Sequence, residues 1–273
     1  MNDLLDARTH FAFGENWKSY LRVLDQGRMG EAEAGMRRLF PNDELKGASF
    51  LDIGSGSGLS SLTAARLGAR QITAVDIDKN SVEATGGLLS SALPNGVWSA
   101  NLKSVFDLVP ERDGSYDVVY SWGVLHHTGD MWRAVRCAAA MVKPGGHFAI
   151  ALYRKTPFCG FWTAEKKFYT SAPKPVRATI RAAYKTLWIM NLLRRRENPF
   201  SYVKNYQSRR GMNWSHDVHD WLGGYPYESA SPESVREFLR GLGFIVVRDF
   251  VAPPYHGVFG SACDEFVAVR QAG

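Results

Sequence analysis

The nine residues Phe50-Leu51-Asp52-Ile53-Gly54-Ser55-Gly56-Ser57-Gly58 constrain the fold of this chain more than any other stretch. A short apolar run carries an acid near its end, glycine alternates with serine, and Leu59-Ser60-Ser61-Leu62-Thr63-Ala64-Ala65 opens a helical pattern. That order predicts a strand, a tight turn and a helix. Glycine at alternate positions admits φ > 0 and lets a ligand approach the main chain with no Cβ in the way. The helix start beyond it offers unpaired N–H groups and a partial positive charge. A dinucleotide fingerprint needs G-x-G-x-x-G. Counted from Gly54 its last glycine falls on Leu59, and counted from Gly56 on Ser61, which disfavours a nicotinamide-dependent oxidoreductase. A second apolar run, Gln71-Ile72-Thr73-Ala74-Val75, closes on Asp76, an acid well placed to take the two hydroxyls of a ribose.

From Ser49 to Tyr153 apolar strand patterns alternate with helical ones, which predicts a doubly wound, mostly parallel α/β sheet. Strands fall near 49–54, 71–76, 97–101, 116–121 and 146–153, and helices near 58–67, 79–92 and 130–141. Asp130 reads as an N-cap and Lys143-Pro144-Gly145-Gly146 as a stop signal. Residues 1–45 read as two N-terminal helices, the second from Glu31 to Phe40 and stopped by Pro41. Residues 154–226 break the alternation. Pro157, Pro173, Pro175 and Pro199 punctuate helical stretches there, the longest running from Val176 to Leu193. Ser231-Pro232 opens a last helix ending at Gly241 and Gly243, followed by strands at 244–247 and 266–269. The expected organisation is therefore 1–45, 46–153, 154–226 and 227–273.

Four stretches together carry a family resemblance. Leu51 to Gly58, with Val75-Asp76-Ile77-Asp78, resembles motifs I and II of the class I S-adenosylmethionine (SAM) dependent methyltransferases. Tyr116 to His127 resembles that family's fourth strand and following loop, and Met141 to Phe148 the turn before its fifth strand. The resemblance covers residues 48–153. It implies a Rossmann-like, seven-stranded sheet closed by a C-terminal hairpin, with N-terminal helices forming a lid that includes Trp17 and an insertion before the last helix that recognises substrate.

It also implies a cofactor site, with SAM as the methyl donor and S-adenosylhomocysteine as product. Asp52 orients the glycine loop and the amino end of the methionine moiety, while Gly54, Ser55, Gly56 and Gly58 give close backbone approach. Asp76 holds the ribose and Ile77 packs on adenine. Ser104-Val105 stands where the family often has an acid facing the adenine amine, and Ser121 lies just past the fourth strand. His126 and His127 follow that strand as candidates for a general base, since a neutral imidazole accepts a proton near neutral pH. His126 is the one expected to face the pocket, with its neighbour capping or buried. An already ionised carboxylate acceptor needs no base.

The stretch Tyr206 to Tyr227 reads as a loop because of Gly223-Gly224 and Pro226, and as a wall of the acceptor pocket. Arg209 or Arg210 suits a carboxylate or phosphate, with Trp221, Tyr225 and Tyr227 as further acceptor contacts or packing residues. His216-x-x-His219 lacks a third ligand, so no metal is expected.

The net charge of +6 is uneven. Between Lys155 and Arg210 there are 13 Lys and Arg against Glu165 and Glu197, so the remainder is about −5. Such clustering suits an acidic partner (nucleic acid, an anionic substrate or anionic lipid) or a solvated helical face. Three scattered cysteines and the absence of a basic, then apolar, start suggest a cytoplasmic protein. The longest apolar run near the basic stretch, Leu187 to Met190, is too short to span a bilayer. The leading expectation is a SAM-dependent methyltransferase (EC 2.1.1) acting on O or N of a small molecule, natural product or peptide. An RNA-modifying methyltransferase and a catalytically silent SAM-binding protein are the alternatives. No N-P-P-[YF] signature follows the fourth strand, where Ser121-Trp122-Gly123-Val124 stands, which disfavours a DNA adenine methylase.

Overall fold

A computed structural model describes residues 26–206 and 214–272. Helix α1 (Gln26–Leu39) leads into β1 (Ser49–Ile53), α2 (Leu59–Arg66), β2 (Gln71–Asp76), α3 (Lys79–Ala92) and β3 (Trp98–Leu102). After β4 (Tyr116–Trp122), α4 (Met131–Ala140) and β5 (Val142–Tyr153) come the insertion helices α5 (Cys159–Ser171), α6 (Lys174–Arg194), α7 (Pro199–Lys204) and α8 (Trp214–Gly223). The chain closes with α9 (Pro232–Gly241), β6 (Phe244–Phe250) and β7 (Cys263–Arg270). The expected earlier N-terminal helix and its Trp17 lie outside the described residues.

The strands form one seven-stranded sheet in the order β3-β2-β1-β4-β5-β7-β6, with β7 antiparallel to both neighbours. Every residue of β1 is buried because helices cover both faces of a central parallel strand. Its two polar residues are held by hydrogen bonds, Ser49 to Asp117 and Asp52 to Ser61. Alternate residues feed two cores. Leu51, Val119, Phe148 and Phe266 meet Val135 of α4 and Leu239 of α9 on one face. Phe50, Val118, Ala149 and Val267 meet Leu39, Leu62 and Leu89 of α1 to α3 on the other. The chain order reverses between β1 and β4, so a crevice opens beyond their carboxyl ends.

Two expectations change. Lys143-Pro144-Gly145-Gly146 does not stop an element but forms a bulge within β5, whose pairing jumps from Tyr116↔Val142 to Val118↔His147. Gly145 takes φ 75°, and a Cβ on Gly146 would lie 2.9 Å from the Asp117 carbonyl oxygen. The opposing Asp117 carboxylate gathers Ser49 N (2.8 Å), Ser49 Oγ (2.7 Å) and Lys143 Nζ (2.8 Å). Partial burial raises its pKa, but these donors outweigh that and hold it at about 2. The second change is at 214–223, expected as loop and found as α8. Trp214, Val218 and Leu222 recur at helical spacing, with Val218 and Leu222 buried, and Gly223-Gly224 ends this helix.

The insertion helices have their own cluster, built on Trp162, Tyr169, Val218, Leu222 and Tyr227. The chain enters them at Arg154, which forms a lone parallel bridge with Ala230. The Arg154 guanidinium bonds Asp264 of β7 at 2.7 Å and also donates to the Ala252 carbonyl. Asp264 accepts Ala252 N at 3.1 Å. Both side chains are buried, so removing one leaves the other charge unpaired in the interior. Asp264→Ala is expected to lower the unfolding free energy by about 3–5 kcal/mol in a denaturant titration. A loss under about 1 kcal/mol would show that water reaches Arg154.

Candidate functional site

The site begins where β1 turns into α2. Gly54, Gly56 and Gly58 take φ of 77°, 55° and 80°, a region costly for any side chain. Gly54 N and Ser55 N both donate to the Val75 carbonyl, at 2.8 and 3.2 Å, holding the turn against β2. Ser55 Oγ and Thr85 Oγ1 lie 3.0 Å apart, and Thr85 Oγ1 donates to Gly56 O at 3.2 Å, which fastens the turn to α3. There is no room for more. A Cβ on Gly54 would meet Val124 at 2.4 Å, and one on Gly58 would meet the Thr85 backbone at 2.9 Å.

Two carboxylates lie beneath this turn. Asp52, buried, accepts Ser61 Oγ at 2.7 Å, and burial moves its pKa up to about 7 against the pull of that bond. Asp76 accepts Gly56 N at 3.0 Å on one oxygen and Asp78 N at 2.9 Å on the other. Burial moves its pKa upward, opposed by those backbone donors. Each oxygen keeps lone pairs, so the pair of acceptors matches a vicinal diol in type and number. Ile77 beside it is half-buried.

Other candidate residues have local duties. Ser104 Oγ accepts Phe106 N at 3.2 Å and starts a single helical turn. Val105 is in the core. Ser121 Oγ donates to Ile53 O at 2.9 Å, joining the ends of β4 and β1.

Of the two histidines, His126 is enclosed, with 0% exposure, and His127 is half-buried. His126 Nδ1 accepts Tyr153 N at 3.3 Å, its Nε2 has no hydrogen-bond partner, and the Tyr153 ring sits 3.9 Å from its own. Burial, then the charges of His127 and Lys166, holds it well below the usual histidine range, so it stays neutral. His127 Nδ1 lies 2.7 Å from the Pro226 carbonyl oxygen. Only a protonated Nδ1 can bond there, so in the neutral ring the lone pair falls on Nε2, the tautomer a base requires.

The segment after α8 folds back over this loop. Glu228 N donates to His126 O at 3.0 Å, and the Glu228 carboxylate accepts Met131 N at the start of α4. Tyr227 and Trp221 thereby join Tyr153, with ring centroids 5.3 and 5.7 Å from it. Tyr225 is half-buried alongside. Arg209 and Arg210 lie outside the described residues. Sequence reasoning missed Tyr153 and Lys166. Lys166 is fully buried, 3.6 Å over the Trp221 ring, and its amine donates to the Trp221 carbonyl. Burial among aromatic rings lowers its pKa. Its signal was legible: Trp162, Lys166, Tyr169 and Thr170 make one helical stripe, all buried. Among the described residues no cluster of three or more His, Cys, Asp or Glu could hold a metal ion.

With this geometry established, similarity to known proteins is informative. Residues 51–150 match the family described as "Methyltransferase domain". Over 115 residues the chain is 38% identical to the ubiquinone biosynthesis O-methyltransferase of Xanthomonas euvesicatoria pv. vesicatoria (strain 85-10). That match covers 42% of this chain and 46% of the relative, so it spans about half of the relative's length. The magnesium protoporphyrin IX methyltransferase of Synechocystis PCC 6803, solved with S-adenosylhomocysteine, superposes with TM-score 0.54 at 16% identity, covering 90% of this chain and 84% of that one. The 1,6-didemethyltoxoflavin-N1-methyltransferase of Burkholderia thailandensis gives TM-score 0.51 at 16% identity, covering 91% and 80%. Residues 51–150 thus match a methyltransferase domain, and the strand order with its antiparallel β7 is that of the class I methyltransferase fold.

The elbow predicts opposite outcomes for two glycines. Gly58→Ala should destabilise by at least about 1–2 kcal/mol, from its left-handed φ and the Thr85 backbone. Gly86→Ala, inside α3 with nothing within 4 Å of its Cβ, should stabilise by about 0.5–1 kcal/mol. Thermal unfolding of both variants checks the sign.

Proposed function

We propose that the protein methylates an oxygen on a small aromatic molecule, drawing the methyl group from SAM. Supporting this is one juxtaposition: the aromatic wall of Tyr153, Trp221 and Tyr227 stands beside His127, whose Nδ1 faces Pro226 O. Flat rings at centroid distances near 5 to 6 Å suit a planar acceptor, and the lone pair on His127 Nε2 suits a phenolic proton. The name of the Xanthomonas relative, an O-methyltransferase of ubiquinone biosynthesis, agrees with that acceptor class.

The residues present fit the methyl donor. Backbone at Gly54 to Gly58 would approach it closely, Asp76 would take the ribose hydroxyls and Ile77 would cover the adenine. Bound SAM supplies a methyl group already activated on a sulfonium sulfur. The protein's own work is then positioning and one proton. The aromatic wall excludes water and holds the acceptor ring, which makes the encounter effectively intramolecular. As the acceptor oxygen takes up the methyl group and the carbon–sulfur bond breaks to leave S-adenosylhomocysteine, His127 Nε2 would accept the hydroxyl proton. His126, enclosed and neutral, supports the His127 and Tyr153 rings rather than titrating.

Incubation with methyl-labelled SAM and a panel of phenols, amines, carboxylates and transfer RNA tests this reading. Label is expected on phenolic oxygen. Label in RNA, or SAM binding with no methylated product, would overturn it in favour of RNA modification or a silent SAM binder. Asp76→Ala should weaken SAM binding at least about tenfold. His127→Ala should lower kcat by about 10²- to 10⁴-fold and leave SAM affinity unchanged. Full activity in His127→Ala would remove the base and leave positioning alone.

A further inference from the structure

Helix α6 is 21 residues long yet contributes only Leu192 to the interior. Its inward-facing cations are held: Arg177 donates to the Ala172 carbonyl at 2.7 Å, Arg181 to Tyr169 Oη at 2.9 Å, and Lys185 to Ser215 Oγ at 2.7 Å. The opposite face is open. Val176, Ala182, Ala183, Leu187, Met190 and Leu193 are exposed there, the last three at 56, 59 and 58%. No acid occurs from Lys174 to Arg196. At the helix end stand Arg194, Arg195 and Arg196, all exposed, with Glu197 paired to Arg195 at 2.9 Å. Then α7 presents Phe200 at 83% exposure, beside exposed Lys204.

A groove of about 620 Å³ adjoins this face, lined by Leu187, Met190 and Arg194 of α6 and by Tyr255, Val258 and Phe259. Its far wall is pinned to the insertion, because Tyr184 Oη donates to Phe259 O at 3.0 Å and Trp162 Nε1 to Gly257 O at 2.7 Å. It is an open, mostly apolar depression whose lining also includes Asn191 and His256 beside Arg194.

Exposed aliphatic surface of this extent on a monomer marks an interaction site. Its chemistry selects the partner. An RNA backbone calls for cations and stacking platforms, and Leu187, Met190 and Leu193 add nothing to either. A helix with an acid-free aliphatic face and arginines at its end matches a bilayer surface, where side chains enter the headgroup–acyl boundary and cations meet anionic headgroups. Among the described residues no helix is long and apolar enough to cross a membrane, so contact would lie along the surface.

We propose that α6 and α7 seat the protein on an anionic phospholipid bilayer. Leu187, Met190, Leu193 and Phe200 enter the boundary region, an acyl chain occupies the groove, and Arg194, Arg195, Arg196 and Lys204 contact headgroup phosphates. This rests on the exposed face alone and is independent of the acceptor proposed above.

Sedimentation with vesicles of phosphatidylcholine, with and without phosphatidylglycerol, tests it. The full chain should bind only the anionic vesicles and come off at high salt. Arg194→Gln/Arg195→Gln/Arg196→Gln should weaken binding about 100-fold. Leu187→Glu/Met190→Glu should weaken it by tenfold or more, and both variants should keep the wild-type affinity for S-adenosylhomocysteine as a control for folding. Absence of binding to anionic vesicles overturns the proposal. So does unchanged binding by Leu187→Glu/Met190→Glu, which would leave charge alone and point to nucleic acid. A doubled mass in light scattering that Leu187→Glu/Met190→Glu abolishes would assign the face to a second copy of the chain instead.

Discussion

The carboxylate of Asp76 bridges the two pieces of backbone on which the site is built. One oxygen takes Gly56 N–H from the turn after β1, and the other takes Asp78 N–H from the turn after β2. Without that bridge, three alternating left-handed glycines rely on the Val75 carbonyl, Thr85 and the turn's own backbone bonds. The left-handed conformations at Gly54, Gly56 and Gly58 are open to glycine without steric cost, and neighbours fix the turn from both sides. Val124 presses on it from the β4 loop and Thr85 from α3. A crevice shaped in this way is set by packing rather than by any ligand.

The same arrangement explains which parts of the molecule were legible in the sequence. The β1 elbow, the acid closing β2 and the strand–helix alternation are local patterns, each written within a few residues. From β1 to β4 and α2 to α4 they survive folding with boundaries shifted by at most one position, while α1, β5, β6 and β7 extend three to five positions beyond their expected bounds. The bulge at Lys143 to Gly146 was misread because glycine and proline signal a break without saying whether the strand resumes. The helix at 214–223 was misread because its glycines and aromatics outweighed a Trp214, Val218, Leu222 periodicity visible only on a helical wheel. Adjacent histidines were harder still. Which one is enclosed depends on Tyr153, 26 residues on from His127, and on the segment around Pro226 and Glu228 folding back over them. Such long-range contacts leave no local trace.

The insertion links the two ends of this account. Its inner surface supplies Trp221, Tyr227 and the buried Lys166 to the region beyond β4 and β5, while its outer surface carries the aliphatic face of α6. Arg154 and Asp264 fix the point where the chain leaves the sheet to enter it. Lys166 is a consequence of that geometry. An amine buried among Trp162, Trp221 and Tyr227 loses solvation, keeps one carbonyl partner and is driven toward its neutral form.

The central claim is that the crevice above β1 and β4 is shaped for a sulfonium nucleoside and not for a pyrophosphate-bridged dinucleotide. Calorimetric titration of the wild-type chain with S-adenosylhomocysteine and, separately, with an oxidised nicotinamide dinucleotide tests it most directly. The account predicts saturable, one-to-one binding of S-adenosylhomocysteine and no heat from the dinucleotide. Binding of the dinucleotide, or no binding of S-adenosylhomocysteine, would contradict it.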